Sequence, residues 1–356
     1  MSHIFHYNKP FLLESGEQLQ KFHLAYTTIG ELNAARNNVV WVFHALTANS
    51  NPAEWWYGLV GEGKYFDPAE YFIVCVNMPG SCYGSLSPFD INPATNESFF
   101  HQFPWFTTRD MIRAYQHLKN YLGISKIKVG LGGSMGGQQL LEWAIEEPNL
   151  FEYIIPIATN AKHSPWGIAF NATQRFCIET DPTWMEKNEE AGLNGMKVAR
   201  AVALLSYRNY HAYELAQQGL HRESTSAVAA QIFKAESYQL YQGEKLAKRF
   251  NAFSYYFLSK SMDAHDVGRG RNSVENALQT IHAKTLIISI KSDILFPLAE
   301  QEYLAKYINT SRLAIIDSTY GHDGFLLEFE KIGALAIEFL ASESARKNKE
   351  IELTLK

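Results

Sequence analysis

Lys126-Ile-Lys-Val-Gly-Leu-Gly-Gly-Ser-Met-Gly-Gly137 joins a short apolar run to a stretch with helical spacing through a turn of small residues. Lys126 to Leu131 has the length and composition of a buried strand. Gly136 to Glu147 reads as a helix stopped by Pro148. Between them, Gly132-Gly-Ser-Met-Gly136 fits the pattern Gly-x-Ser-x-Gly. A strand that turns into a helix within so few residues is strained, and its close neighbours must lack bulky side chains. Such a turn lifts the Ser134 hydroxyl above the sheet, beside a helix N-terminus whose amides face any developing anion. The strand–turn–helix setting carries the reading, because the bare pattern is common. Gly130 to Gly137 also loosely mimics a dinucleotide phosphate loop, but it opens far into the chain and no acid closes a following strand.

Outward from this turn, the same alternation repeats. Asn38–Phe43, Tyr71–Val76, Tyr153–Ile157, Thr285–Ile290 and Arg312–Ile316 read as further buried strands. Thr108 to Leu122 has the form of a capped amphipathic helix with Gly123 just past its end. Strands alternating with helices imply an α/β fold, a mainly parallel sheet covered on both faces. The alternation stops from about Ala161 to about Ala283, a stretch rich in Ala, Gln, Tyr, Lys and Glu that reads as several helices. The economical organisation is a core built from residues 1–160 and 284–356, carrying a helical insertion over 161–283. The polar end, Ser344 to Lys356, is expected to fray.

Composition bounds the function. The 356 residues suit one large domain with an insertion, or two domains. A net charge of −5 offers no electrostatic reason to seek nucleic acid. Apolar residues at 46% support a packed core, and charged residues at 19% are sparse enough to suggest buried or interface surface. Cys75, Cys82 and Cys177 show no C-x-x-C spacing, so free thiols in a reducing compartment are expected in place of a disulfide frame or zinc knuckle. Histidines and acids lack a coherent ligand spacing, so no metal is expected. No signal-peptide core and no membrane-spanning stretch is visible, so the chain is expected to be soluble and cytoplasmic, with no membrane partner.

A serine hydroxyl needs a base, and the base needs an orienting acid. In the α/β-hydrolase arrangement these follow in the order Ser, acid, His. Asp293 ends the strand-like Ile287–Ser292 stretch and is followed by Phe296-Pro297. His322 follows the last strand and precedes the helix-like Gly324–Leu340. Both lie at the C-terminal end of a strand, where α/β sheets bind ligands. The expected roles are Ser134 as nucleophile, His322 as general base then acid, and Asp293 as the carboxylate that holds the imidazole tautomer. His44 precedes the serine and breaks the order, while His265, beside Asp266 in the insertion, suits a surface or lid role. Asp323 adjoins His322, but sequence neighbours rarely orient each other's ring. The oxyanion hole needs two backbone N–H groups. One is expected from Met135, the other from Leu46 in the loop His44-Ala-Leu-Thr47.

Several motifs together resemble the homoserine O-acyltransferases, the acetyl-CoA-dependent enzymes of methionine biosynthesis with the α/β-hydrolase fold. They are His44-Ala-Leu-Thr47, Glu54-Trp-Trp56, Gly132 to Gly137 with Leu141-Glu-Trp-Ala144, Gln174-Arg175, Asp181-Pro-Thr-Trp184, His265-Asp-Val-Gly-Arg-Gly-Arg271, Ser292-Asp293 with Phe296-Pro297, and Gly321-His-Asp323. The resemblance implies ping-pong acyl transfer. Ser134 takes the acyl group from acetyl-CoA, a co-substrate, with no bound cofactor, and His322 then activates the homoserine hydroxyl. It further implies that Arg175 grips the substrate carboxylate, that Asp323 meets the substrate amine, and that a homodimer forms through a helical lid. Guanidinium suits carboxylate, and an acid suits an ammonium group. The sequence departs from the family at Pro79, Ser87 and Ala48, and the Arg-Phe-Gly-Arg that usually closes the motif after Tyr207-Arg208 is not recognisable. Succinyl-CoA as donor, or serine as acceptor, therefore stays open within the family. Outside it, an esterase or thioesterase with the same three residues differs only in what resolves the acyl-serine. Arg175 and the lid favour transfer, because they offer a charged acceptor a site that could exclude water. A non-catalytic binding protein is disfavoured by the intact Ser134, Asp293 and His322.

Overall fold

The apolar runs pair into one eight-stranded sheet. The computed structural model describes residues 2–221 and 232–354. Its main strands are β1 (Ser2–Tyr7), β2 (Phe22–Ile29), β3 (Val39–Phe43), β4 (Phe72–Val76), β5 (Ile127–Gly133), β6 (Phe151–Ile157), β7 (Lys284–Ile290) and β8 (Ser311–Ile316). Their spatial order is β1-β2-β4-β3-β5-β6-β7-β8. The six strands from β3 onward run parallel. β1 and β2 add an antiparallel edge. That edge lies outside the sequence expectation. β1 buries only Phe5 and carries His and Tyr among its apolar residues, so it lacks the continuous apolar run of a two-sided strand. β3, by contrast, is buried along its whole length.

Helices cover both faces. α1 (Thr108–Tyr121) starts on a full capping box, in which Thr107 and Asp110 each satisfy the other's backbone amide. α2 (Met135–Glu146) follows β5 directly. Between β6 and β7 the described residues form helices: α3 (Pro165–Glu179), α4 (Leu193–Tyr207), α5 (Tyr210–Ala216), α6 (Lys234–Ala247), α7 (Ala252–Asp263) and α8 (Val274–Gln279). They do not pack as a separate body. Ile178, Leu258, Met262 and Val267 share one buried apolar cluster with Phe103, Phe106 and Met111. α9 (Leu298–Tyr307) and α10 (Phe329–Thr354) complete the covering. α10 runs through the polar end that was expected to fray, as far as Thr354.

An ionic network ties the insertion to the core. Glu142 on α2 meets Arg109 at 2.6 Å and Arg271 at 2.5 Å. Glu14 meets Arg109 at 2.8 Å and Arg269 at 2.7 Å. His265, expected in a surface or lid role, is buried, its Nδ1 near Thr108 Oγ1 and its Nε2 near the Asn160 carbonyl. Burial holds the ring neutral, with its pKa lowered to about 3.

Candidate active site

β5 ends at Gly133 and α2 begins at Met135, so Ser134 alone makes the turn. Its backbone lies at φ 56° and ψ −128°, a conformation that side chains disfavour. The flanking glycines have no room to be anything else. A Cβ on Gly132 would lie 2.5 Å from the Gly136 carbonyl oxygen, and one on Gly136 would lie 2.2 Å from that of Phe43. The Thr159 hydroxyl donates to the Ser134 carbonyl at 2.8 Å and holds the turn from below.

The loops after β7 and β8 bring Asp293 and His322 to this turn. Ser134 Oγ lies 2.8 Å from His322 Nε2, and His322 Nδ1 lies 2.6 Å from Asp293 Oδ2. The other Asp293 oxygen accepts from the backbone amides of Leu295 and Phe296, at 2.8 and 2.9 Å. The carboxylate is thereby fixed on both sides. The imidazole is packed by Phe296, stacked at 5.1 Å, and by Phe325 and Tyr207. Ser292, quoted in the sequence only as a motif neighbour, joins the two loops. Its hydroxyl donates to the Ser318 carbonyl at 2.5 Å and accepts from the Gly321 amide at 3.1 Å. With a proton on Nδ1 facing Asp293, Nε2 is free to take the serine proton, which is the arrangement nucleophilic acyl chemistry needs.

A cavity of about 490 Å³ opens above Ser134 and His322. The loop Ala45–Asn49, with Trp55 and Tyr83, forms one side, and Arg200, Tyr207 and Arg249 of the insertion form another. Leu46 lines it, and Met135 begins α2 beside it. Among the described residues, neither the Leu46 amide nor the Met135 amide donates to another backbone carbonyl outside regular secondary structure. An amide in the first turn of a helix has no partner within the helix. A larger hollow of about 620 Å³, beside β2 and the 90–94 segment, contains none of these residues.

Arg175 is not at the cavity. It lies on α3 facing α7, where its Nη2 meets Asp263 at 2.6 Å and its Nη1 donates to Ser259 at 3.2 Å. A substrate carboxylate would have to displace Asp263, so the expected gripping position is corrected. Two arginines do line the cavity, Arg249 and, on α4, Arg200, which lies 5.2 Å over the Tyr207 ring. Sequence reasoning missed it. The available signal was its spacing of two helical turns from Tyr207, which puts both on one helix face. Asp323 does line the cavity, and its carboxylate meets Arg208 Nε at 3.2 Å. His44 is fully buried. Its Nδ1 lies 2.9 Å from the Ala45 carbonyl and its Nε2 accepts from the Met78 amide at 3.1 Å, a neutral tautomer whose pKa burial lowers to about 4. Cys82 lies outside the lining, and burial pushes its thiol up to about 11. Among the described residues, no group of three or more His, Cys, Asp or Glu side chains could hold a metal, and no helix is long and apolar enough to cross a membrane.

Comparison with known proteins places this geometry. A family model described as alpha/beta hydrolase fold matches residues 38–329. The homoserine O-acetyltransferase of Cyclobacterium marinum is 47% identical, over 92% of this chain and 92% of its own. Among solved structures, homoserine O-acetyltransferase from Bacillus anthracis superposes with a TM-score of 0.86 at 24% identity, covering 96% of this chain and 97% of that one. Esterase E22 superposes with a TM-score of 0.85 at 22% identity, covering 96% and 99%. At such identities the structural likeness speaks to fold alone, and it spans both a transferase and a hydrolase.

Proposed function

Because the chain belongs to the alpha/beta hydrolase fold family, among the homoserine O-acetyltransferases, we propose that it is an acyltransferase that moves an acetyl group from acetyl-CoA to the hydroxyl of L-homoserine. The observation that carries this reading is the hydrogen-bonded chain Ser134–His322–Asp293 below a cavity that also holds Arg200, which has no carboxylate partner among the described residues.

The proposed steps use this geometry. Ser134 Oγ attacks the thioester carbonyl while its proton passes to His322 Nε2. Asp293 stabilises the imidazolium that forms. The oxyanion is met by the amides of Met135 and Leu46, groups already oriented before the reaction begins. Collapse expels CoA, whose sulfur leaves with the His322 proton, and an acyl-serine remains. The homoserine hydroxyl then gives its proton to His322 and attacks the acyl carbonyl. Collapse returns the proton to Ser134 and releases the ester. Arg200 suits the acceptor carboxylate, since a guanidinium matches it with two parallel hydrogen bonds. Asp323 suits the acceptor amine, shared with Arg208 when the cavity is empty. The reading takes the helical insertion as the lid and as the face of a cytoplasmic homodimer. Exposed Phe176, Val198, Leu205 and Leu240 on that insertion support the latter.

A second reading, thioesterase or esterase, rests on the equally similar fold of esterase E22. The experiment that separates them is CoA release from acetyl-CoA with and without L-homoserine. Release that depends strongly on homoserine supports transfer. Release at the same rate without it supports hydrolysis. Serine as acceptor and succinyl-CoA as donor are run in the same assay, and a higher kcat/KM with either would replace the corresponding substrate.

A further inference from the structure

Two arginines line the cavity, and they differ in setting. Arg200 is half-buried and lies over Tyr207. Arg249 is exposed, and its Nη1 donates to the Thr47 carbonyl at 2.5 Å and to the Tyr83 hydroxyl at 2.8 Å. A carbonyl and a phenol fix a guanidinium in place without neutralising it. Among the described residues no carboxylate within ion-pair distance holds Arg249, and neither its Nε nor its Nη2 has an acceptor. A guanidinium carries five N–H donors, so a fixed charge with unused donors remains at the cavity. Glu54, an acid of the lining, accepts from Asn49 Nδ2 at 3.2 Å.

The two substrates of the proposed reaction present different anions. The amino-acid acceptor is small, and its one carboxylate must lie close to the reacting hydroxyl, which suits half-buried Arg200. The donor is long. Its acyl end reaches Ser134 while its diphosphate and phosphate monoester stay at the solvent side. Resting on the acyl-CoA reading, we infer that Arg249 is the receptor for the phosphates of the donor's nucleotide end, braced for that role by Thr47 and Tyr83.

The test compares acetyl-CoA with acetyl-pantetheine, which keeps the thioester arm and lacks the nucleotide and its phosphates. Each is used with the full-length enzyme at saturating homoserine. Wild-type enzyme is expected to prefer acetyl-CoA in kcat/KM, with a preference that shrinks as salt rises. Losing charge-assisted hydrogen bonds to phosphate in Arg249→Ala should reduce that ratio by about 10- to 100-fold. Arg249→Lys should retain part of it, because the charge remains but the fork is lost. Tyr83→Phe removes a brace without removing charge, and should keep most of the ratio. A burst of p-nitrophenol from p-nitrophenyl acetate reports that each variant is folded with Ser134 reactive. If Arg249→Ala depresses both donors equally, the arginine merely supports the Leu46 loop and the inference is overturned. A wild-type enzyme with no preference between the donors overturns it as well. If wild type shows the burst but takes neither thioester, the donor reading fails first, and the inference with it.

Discussion

At Ser134, chemistry and backbone strain coincide. Its φ of 56° and ψ of −128° fall where glycine alone moves freely. Ser134→Ala removes the proposed nucleophile but keeps the Cβ and the strain, whereas Ser134→Gly removes all three. Both should lose the acyl-enzyme burst and cut turnover by about 10⁴-fold or more. Ser134→Gly alone should be more stable, by about 1 kcal/mol, after the extra freedom of glycine in the unfolded chain is subtracted from the relieved strain. Thermal melts of the two variants side by side check this, and equal melting temperatures would mean that no strain is stored. The members of this hydrogen-bonded chain were legible one at a time, because each ends a strand and chain order limits which acid and histidine can meet the serine. Arg175 was misread for a reason at the same scale. The resemblance carried by Gln174-Arg175 put it at the substrate, and only the packing of α3 on α7 reveals Asp263 beside it.

The turn from β5 into α2 works as an element. Gly136 lets the first turn of α2 approach the end of β3. A methyl group there would meet the Phe43 carbonyl oxygen at 2.2 Å, a backbone atom that cannot swing aside. Gly136→Ala should therefore push α2 away from β3. A destabilisation of about 2 kcal/mol or more is expected, together with a loss of acylation rate beyond what the stability change explains. Denaturant unfolding and burst kinetics measure the two separately, and a normal burst rate would show that the amides do not depend on this approach. The parallel strands were legible because burial on both faces leaves a continuous apolar run. β1 was not, because it buries Phe5 alone, and β2 was not, because His23, Thr27 and Thr28 interrupt its apolar run although most of it is buried.

Over the whole molecule, buried charge and buried neutral histidine hold the insertion against the core. Glu142 is buried and answers both Arg109 and Arg271. Glu142→Ala leaves two desolvated guanidinium groups short of a partner and should cost about 3 to 5 kcal/mol. A melting temperature within a degree or two of wild type would mean that Glu14 and Glu146 compensate. His44, His163 and His265 all lie in the interior, and burial lowers them from an ordinary 6.5 to about 4, 3 and 3. Each is neutral in the fold and protonated in the unfolded chain over the interval below about 6.5. Their contribution is complete above that pH and is lost on acidification towards 4 and 3. Each histidine should cost about 1.4 kcal/mol per pH unit once the unfolded chain is fully protonated there. Calorimetry from pH 6.5 down to 4.5 should show a steepening fall in melting temperature, and a flat profile would contradict the neutral burial of these rings.

The sequence by itself determined what depends on neighbours along the chain. It carried the parallel core, the strained Gly-x-Ser-x-Gly turn, the helical stretch between β6 and β7, and the loop ends that bear Asp293 and His322. Periodicity and turn chemistry are local, so they can be read without coordinates. Only the tertiary structure decided which charges meet. It paired Arg175 with Asp263, buried His265 against Thr108 and Asn160, and left Arg200 and Arg249 facing the cavity. The pairing of a charged side chain is set by the face its helix turns to its neighbours and by the dielectric around it, and both exist only once the elements have packed.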